Sequence, residues 1–146
     1  MLTTRVARTL LIALDAFLAV TAIAGGIGLL TGVIAAPLAL LQGSPFGSYI
    51  IPGLALLVVV GGSALVATVL MIRRHALGTV LSGAAGAMII GFEIVEVLVI
   101  GSEPGVARNL QIFYFAFGLA MATLALWGWT TEHTAQPSSL SHSTMH

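Results

Sequence analysis

Four continuous apolar segments, a nearly charge-free composition, and arginines gathered at alternate connections predict an all-α fold. It is that of a polytopic membrane protein, a four-transmembrane-helix bundle with its N and C termini cytoplasmic. Apolar residues fill 58% of the 146 positions and charged residues 7%, whereas soluble domains carry about a quarter charged residues because their surfaces must be wetted. The apolar segments run from Thr9 to Ile34, Ile51 to Ile72, Leu77 to Ile100 and Ile112 to Thr131. A helix rising about 1.5 Å per residue crosses a hydrocarbon core of about 30 Å in roughly 20 residues, so each segment is long enough. The runs are continuously apolar instead of alternating, and a helix satisfies its own backbone hydrogen bonds in lipid, so helices are expected in place of a barrel.

The first segment follows Arg5 and Arg8 and contains Ala22-Ile23-Ala24, which imitates a signal peptide with a small-residue cleavage site. A spanning helix is the better reading: the run stays apolar well past Gly25 and carries Asp15 where a signal core would be uniformly apolar. The first connection, about Ala35 to Ile50, holds Pro37, Gly43-Ser44-Pro45 and Gly47, with Pro52 just beyond. That density of turn formers predicts an ordered cap. Within it, Ala36 to Leu41 is too short to span and too apolar to float, so it is expected in the interface or tucked over the bundle, a re-entrant segment being the alternative.

Gly61-Gly62-Ser63 in the second segment reads as a further small-residue packing stretch, and its adjacent glycines also permit a kink. The second connection is only Arg73-Arg74-His75-Ala76, which makes the second and third helices an antiparallel hairpin. Gly43-Ser44-Pro45 before the second helix and Gly101-Ser102-Glu103-Pro104-Gly105 before the fourth form a faint echo, as a duplicated helical hairpin would. Residues 1–134 thus form the transmembrane domain, and the polar, aperiodic stretch 135–146 is expected to be disordered.

Orientation follows from the basic residues. Arg5, Arg8, Arg73 and Arg74 flank the same side and only Arg108 the other, which places both termini inside a cell's inner (plasma) membrane. Trp127 and Trp129 then fall at the inner interface, with Phe46, Tyr49, Phe113 and Tyr114 near the outer one, as amphipathic rings distribute.

Composition also excludes chemistry. Zero formal net charge and scattered arginines remove the field that nucleic-acid binding needs. No Cys means no thiolate chemistry. His75, His133, His142 and His146 match no structural zinc spacing, and no Ser-His-acid arrangement or phosphate loop is present. No enzyme, metal or cofactor is expected.

Asp15, Glu93 and Glu96 are the candidate intramembrane ionisable site, because a carboxyl in lipid is costly and needs a reason. All three count to the outer thirds of the membrane, away from the midplane where coupling carboxylates of transporters usually lie. Glu93 and Glu96, three residues apart, share a helical face and could hold a proton or cation in an outward vestibule. The structural alternative pairs Glu96 with Arg108, hydrogen-bonds Glu93 to a neighbouring helix, and pairs Asp15 with Arg73, Arg74 or His75. Small residues at four-residue spacing, Ala24, Gly28 and Gly32 in the first helix and Gly83, Ala87 and Gly91 in the third, are candidate helix-packing positions.

The stretch Ser44-Pro45-Phe46-Gly47-Ser48-Tyr49-Ile50-Ile51-Pro52-Gly53-Leu54, running into Val60-Gly61-Gly62, resembles a segment of uncharacterised small four-helix integral membrane proteins of bacteria. The resemblance extends to Leu110-Gln111 and Phe115, names no activity and transfers no site residues. Small multidrug transporters share the helix count, but their membrane Glu belongs in the first helix, where this chain has Asp15. The expectation is a non-enzymatic accessory or structural subunit of a homo-oligomer or larger membrane complex in the lipid bilayer. The alternative is a small transporter or channel using Glu93 and Glu96.

Overall fold

The computed structural model describes residues 2–134, with side chains for 5–131; the polar segment 135–146, with His142 and His146, and the side chain of His133 lie outside the described residues. The described part is all-helical, with four helices long and apolar enough to span a membrane: α1 (Leu2–Thr31), α2 (Ile50–Ile72), α3 (Gly78–Ile100) and α4 (Val106–Thr134).

α1, α2 and α4 are longer than the apolar runs that announce them, whereas α3 starts one residue after its run. α1 starts before Thr9 and α4 before Ile112, because charge marks where hydrocarbon ends, not where a helix must stop. Backbone geometry ends them instead. After Thr31 comes Gly32 at φ 74, a left-handed residue that glycine adopts at little cost. The Ile34 amide then donates back to the Gly28 carbonyl at 3.0 Å. Pro52 sits in the first turn of α2, where no intrahelical donor is required of it. The next stretch, Ala55–Gly61, is wound as a π-helix and returns to α-helix at Gly62, so the glycine pair marks the end of a widened turn. In the first connection, Leu38–Leu41 forms a single 3₁₀ turn that buries Leu41, while Leu38 and Leu40 stay exposed. The Ala36 to Leu41 stretch therefore tucks over the bundle.

The helices alternate in direction and form a ring, α1 against α2, α2 against α3, α3 against α4 and α4 against α1, with some contact across the α1–α3 diagonal. Both hairpins, α1–α2 and α3–α4, begin and finish at the end where Arg5, Arg8, Arg73 and Arg74 lie, here called the arginine end. The core has two parts. Leu11, Met71 and Ala125 pack at the arginine end. Leu18, Ala22, Val60, Ala64, Ile89 and Met121 fill the middle. Phe17 of α1 stacks against Phe113 and Phe117 of α4, with centroids 6.2 and 5.4 Å away, so Phe113 serves the α1–α4 contact.

Two glycine crossings let the backbones touch. A Cβ on Gly26 would lie 2.8 Å from the Gly53 carbonyl oxygen, joining α1 to α2. A Cβ on Gly86 would lie 2.9 Å from the Gly118 carbonyl oxygen, and one on Gly118 would lie 2.8 Å from that of Gly86, joining α3 to α4. Of the small residues expected to pack helices, only Gly83 faces another helix closely, its Cβ position being 3.2 Å from the Ala125 methyl. Gly28 lies beneath the side chain of Ile34 in its own turn, and nothing lies within 4 Å of Gly32 or Gly91. Ala24 and Ala87 are exposed. The correction has a physical cause: in lipid the outward faces are as apolar as the inward ones, so spacing alone does not reveal which way a stripe points.

The α2–α3 connection is closed by a two-bond cap. The Arg74 amide donates to the Met71 carbonyl and the His75 amide to the Leu70 carbonyl, at 3.2 and 2.9 Å, around Arg74 at φ 55. Arg8 of α1 completes that end: its Nε donates to the Met71 carbonyl at 3.1 Å and its Nη2 to the Ile72 carbonyl at 3.3 Å. A cation here adds a second donor to the Met71 carbonyl, supplies one to the Ile72 carbonyl, and complements the helix dipole. Arg8→Gln is expected to cost about 1–2 kcal/mol in unfolding titrations in mixed micelles; an unchanged midpoint would show that the cap adds nothing.

Candidate functional site

Two polar clusters lie inside the spans, one toward each end, and each is built where two helices bring polar side chains to a shared seam. The first is on the α1–α3 diagonal. Asp15 follows Leu11 by one turn and precedes Leu18 by another, so it shares the inward face of α1 and is fully buried (0% exposed). Ser82 occupies the same place on α3, one turn after Gly78, and is also fully buried. The Ser82 hydroxyl donates to Asp15 Oδ2, while Oδ1 has no hydrogen-bond partner. The expected pairing of Asp15 with Arg73, Arg74 or His75 is thus replaced. These residues stand in the exposed α2–α3 turn, whereas Asp15 is rotated inward between the two apolar cores, beyond their reach.

The second cluster is at the far end, where α3 finishes and α4 starts. Glu93 and Glu96 are less than one turn apart on α3; Glu93 is buried (5% exposed) and Glu96 half-buried. Gln111 of α4 is buried as well (4% exposed). Its Nε2 donates to Glu96 Oε1 at 3.2 Å and to the Gly101 carbonyl at 3.1 Å. One carboxamide therefore ties α4 both to the Glu96 side chain and to the residue that ends α3. Glu96 meets Gln111 instead of Arg108, which is exposed on the opening turn of α4. Glu93 Oε2 and Gln111 Oε1 are buried without a hydrogen-bond partner. Tyr49 stands near this end, its hydroxyl donating to the Pro37 carbonyl at 3.0 Å; burial first, and then the Glu96 charge, raise its phenol above the usual range.

Sequence reasoning found the three carboxyls but missed Ser82 and Gln111. Gln111 sits one residue before the apolar run at Ile112, yet it shares a seven-residue spacing with Gly118 and Ala125, both buried. That spacing was the available signal, because two helical turns return to one face. Ser82 is likewise in step with Ile89 and Glu93 on α3.

Chemically, the clusters contain acceptors and few donors. They can hold a proton or a small cation or act as inter-helix links. Among the described residues no group of three or more His, Cys, Asp or Glu could hold a metal ion.

No family model, no curated protein and no solved structure matches the chain. The reading of function therefore rests on the geometry of these residues.

Proposed function

We propose that the chain is a non-enzymatic integral membrane protein, an accessory or structural subunit of a homo-oligomer or of a larger membrane complex. It lies multi-pass in a cell's inner (plasma) membrane with both termini cytoplasmic. One observation carries the reading: two of the three carboxyls inside the spans, Asp15 and Glu96, act as links between helices. Asp15 accepts from Ser82, and Glu96 accepts from a Gln111 that also holds the end of α3. Interhelical bonds of this kind hold transmembrane helices in register where water does not compete. What remains for other molecules is a broad apolar surface. Most residues of the α3 and α4 spans are not buried within the chain, and residues such as Val80, Met88, Ile94 and Leu119 face outward. Open backbone at Gly91 and the exposed Ala87 offer a second helix a close approach on the same span. The placement of four arginines at one end supports the orientation.

A second reading, a small transporter or channel with Glu93 and Glu96 as an outward-facing proton or cation site, draws on the buried, unpartnered oxygens of Glu93 and Gln111. A proton or cation would complete them.

The readings separate experimentally. Extracted in a mild detergent, the protein is expected to emerge as a defined oligomer or with a stoichiometric partner, as measured by light scattering after size exclusion, and Glu93→Gln is expected to leave that assembly intact. A lone monomer would count against a subunit role. Proton- or cation-dependent flux in proteoliposomes that disappears in Glu93→Gln would replace that role with transport.

A further inference from the structure

Three arginines, two from one helix and one from a turn, converge at the arginine end. Arg5 and Arg8 lie one turn apart on α1, and Arg74 comes from the α2–α3 turn. Together with Thr9 and Ile12 they line an open cleft of about 340 Å³. The groups are not equivalent. Arg8 is held by the carbonyls of Met71 and Ile72, which fixes its guanidinium at the cleft wall. Among the described residues, the side chains of Arg5 and Arg74 have no hydrogen-bond or ion-pair partner. The Thr9 hydroxyl donates to the Arg5 carbonyl at 3.0 Å, so the cleft's donors are the guanidiniums. Asp15, the nearest carboxyl on α1, is turned inward to Ser82. The cleft is therefore cationic and lacks an internal counter-charge among the described side chains.

Arg74 carries a further mark. It occupies the left-handed position of the α2 cap at φ 55, a place where glycine is the cheapest residue and a side chain costs about 1 kcal/mol. That backbone projects an arginine into the cleft at a position where the fold alone would be served better by glycine.

A second groove, about 260 Å³, adjoins the first and shares Arg5 and Thr9 with it; its other walls are Val6 and Leu10. Both are about half exposed, at 52% and 47%. Arg5 and Arg8 precede the long apolar run of α1, so in the proposed membrane placement the cationic cleft lies at headgroup depth and the Val6–Leu10 groove leads toward the apolar layer beside it. A guanidinium fork matches the oxygens of a phosphate, and a basic pocket between helices at this depth suits an anionic headgroup.

We propose that this cleft is a binding site for an anionic phospholipid, with its phosphate held between Arg5, Arg8 and Arg74 and one acyl chain laid along Val6 and Leu10. The continuity of the cationic cleft with an apolar groove selects a lipid over a free phosphate, which would have no use for the second groove.

The test is native mass spectrometry of the full chain in a neutral detergent, titrated separately with phosphatidylglycerol and phosphatidylcholine of matched acyl chains. Wild type is expected to retain one phosphatidylglycerol in preference to phosphatidylcholine. Arg74→Gly removes one cation while relieving the left-handed strain, so it folds at least as well and weakens phosphatidylglycerol binding about fivefold. Combining it with Arg5→Gln brings the loss to about 30-fold and leaves phosphatidylcholine binding unchanged. Leu10→Trp, on an exposed face, fills the groove and lowers retention of the lipid. Equal retention of the two lipids by wild type, or phosphatidylglycerol binding unaltered in the double variant, overturns the proposal. Displacement of the lipid by excess inorganic phosphate, with Leu10→Trp behaving as wild type, overturns it in favour of a free-oxyanion site.

Discussion

Asp15→Ala is expected to destabilise the bundle by about 2–3 kcal/mol, read as a lowered midpoint in unfolding titrations of mixed micelles. The carboxyl is fully buried on the α1–α3 diagonal and its Oδ2 accepts from Ser82. Truncation removes that interhelical bond, strands the Ser82 hydroxyl in an apolar seam, and opens a void between the two parts of the core. Asp15→Asn is expected to lose less, about 1 kcal/mol. Its carboxamide oxygen still accepts from Ser82, while its amino group replaces Oδ1, which accepts no hydrogen bond in the wild type. Asp15→Ala as stable as wild type would show that the seam holds without its polar link. Asp15→Asn costing as much as Asp15→Ala would show that shape and one hydrogen bond do not account for the residue.

Gly118→Val is expected to be the most damaging substitution in the α3–α4 hairpin, at about 3 kcal/mol or loss of the folded protein. α3 and α4 pack extensively against each other, and at their crossing the Gly86 and Gly118 backbones face one another. A Cβ at residue 118 would sit 2.7 Å from Ile90 Cγ1 and 2.8 Å from the Gly86 carbonyl oxygen. Ile90 can swing aside, but the carbonyl cannot, so the helices must separate and forfeit dispersion contacts along their length. Gly91→Val is the control: nothing lies within 4 Å of its Cβ position, so in the isolated chain the change stays within about 0.5 kcal/mol. Equal effects at residues 91 and 118 would refute the close crossing. A loss of assembly in Gly91→Val without a loss of stability would instead place the outward face of α3 at an interface with another subunit.

The contrast between Gly91 and Gly118 also explains how far the sequence could be read. Gly91 belongs to a regular small-residue stripe and faces open space, whereas Gly118 belongs to none of the expected stripes and touches backbone. A soluble helix betrays its inward face because the other face is polar. Here the outward residues Val80, Met88 and Ile94 are as apolar as the buried Ile89, so rotation about the helix axis leaves little trace in composition. Polar residues are the exception, since burying them costs free energy. Asp15 and Glu93 stand out in the sequence for that reason, while Ser82 and Gln111, cheaper to bury, do not. The partners themselves were misjudged: charge complementarity favoured arginines, and geometry supplied a hydroxyl and a carboxamide.

By itself the sequence determined the number of spanning helices, their order and the connections between them, because solvation by hydrocarbon acts on each segment separately and depends on little besides local composition. Only the tertiary structure decided which faces meet, where backbones cross at Gly86 and Gly118, and that Arg8 closes the end of α2. It also decided that Arg5 and Arg74, 69 positions apart in the numbering, line one cleft. Those outcomes depend on the rotation and depth of each helix against its neighbours, and are set by packing and hydrogen-bond partners that no single segment contains.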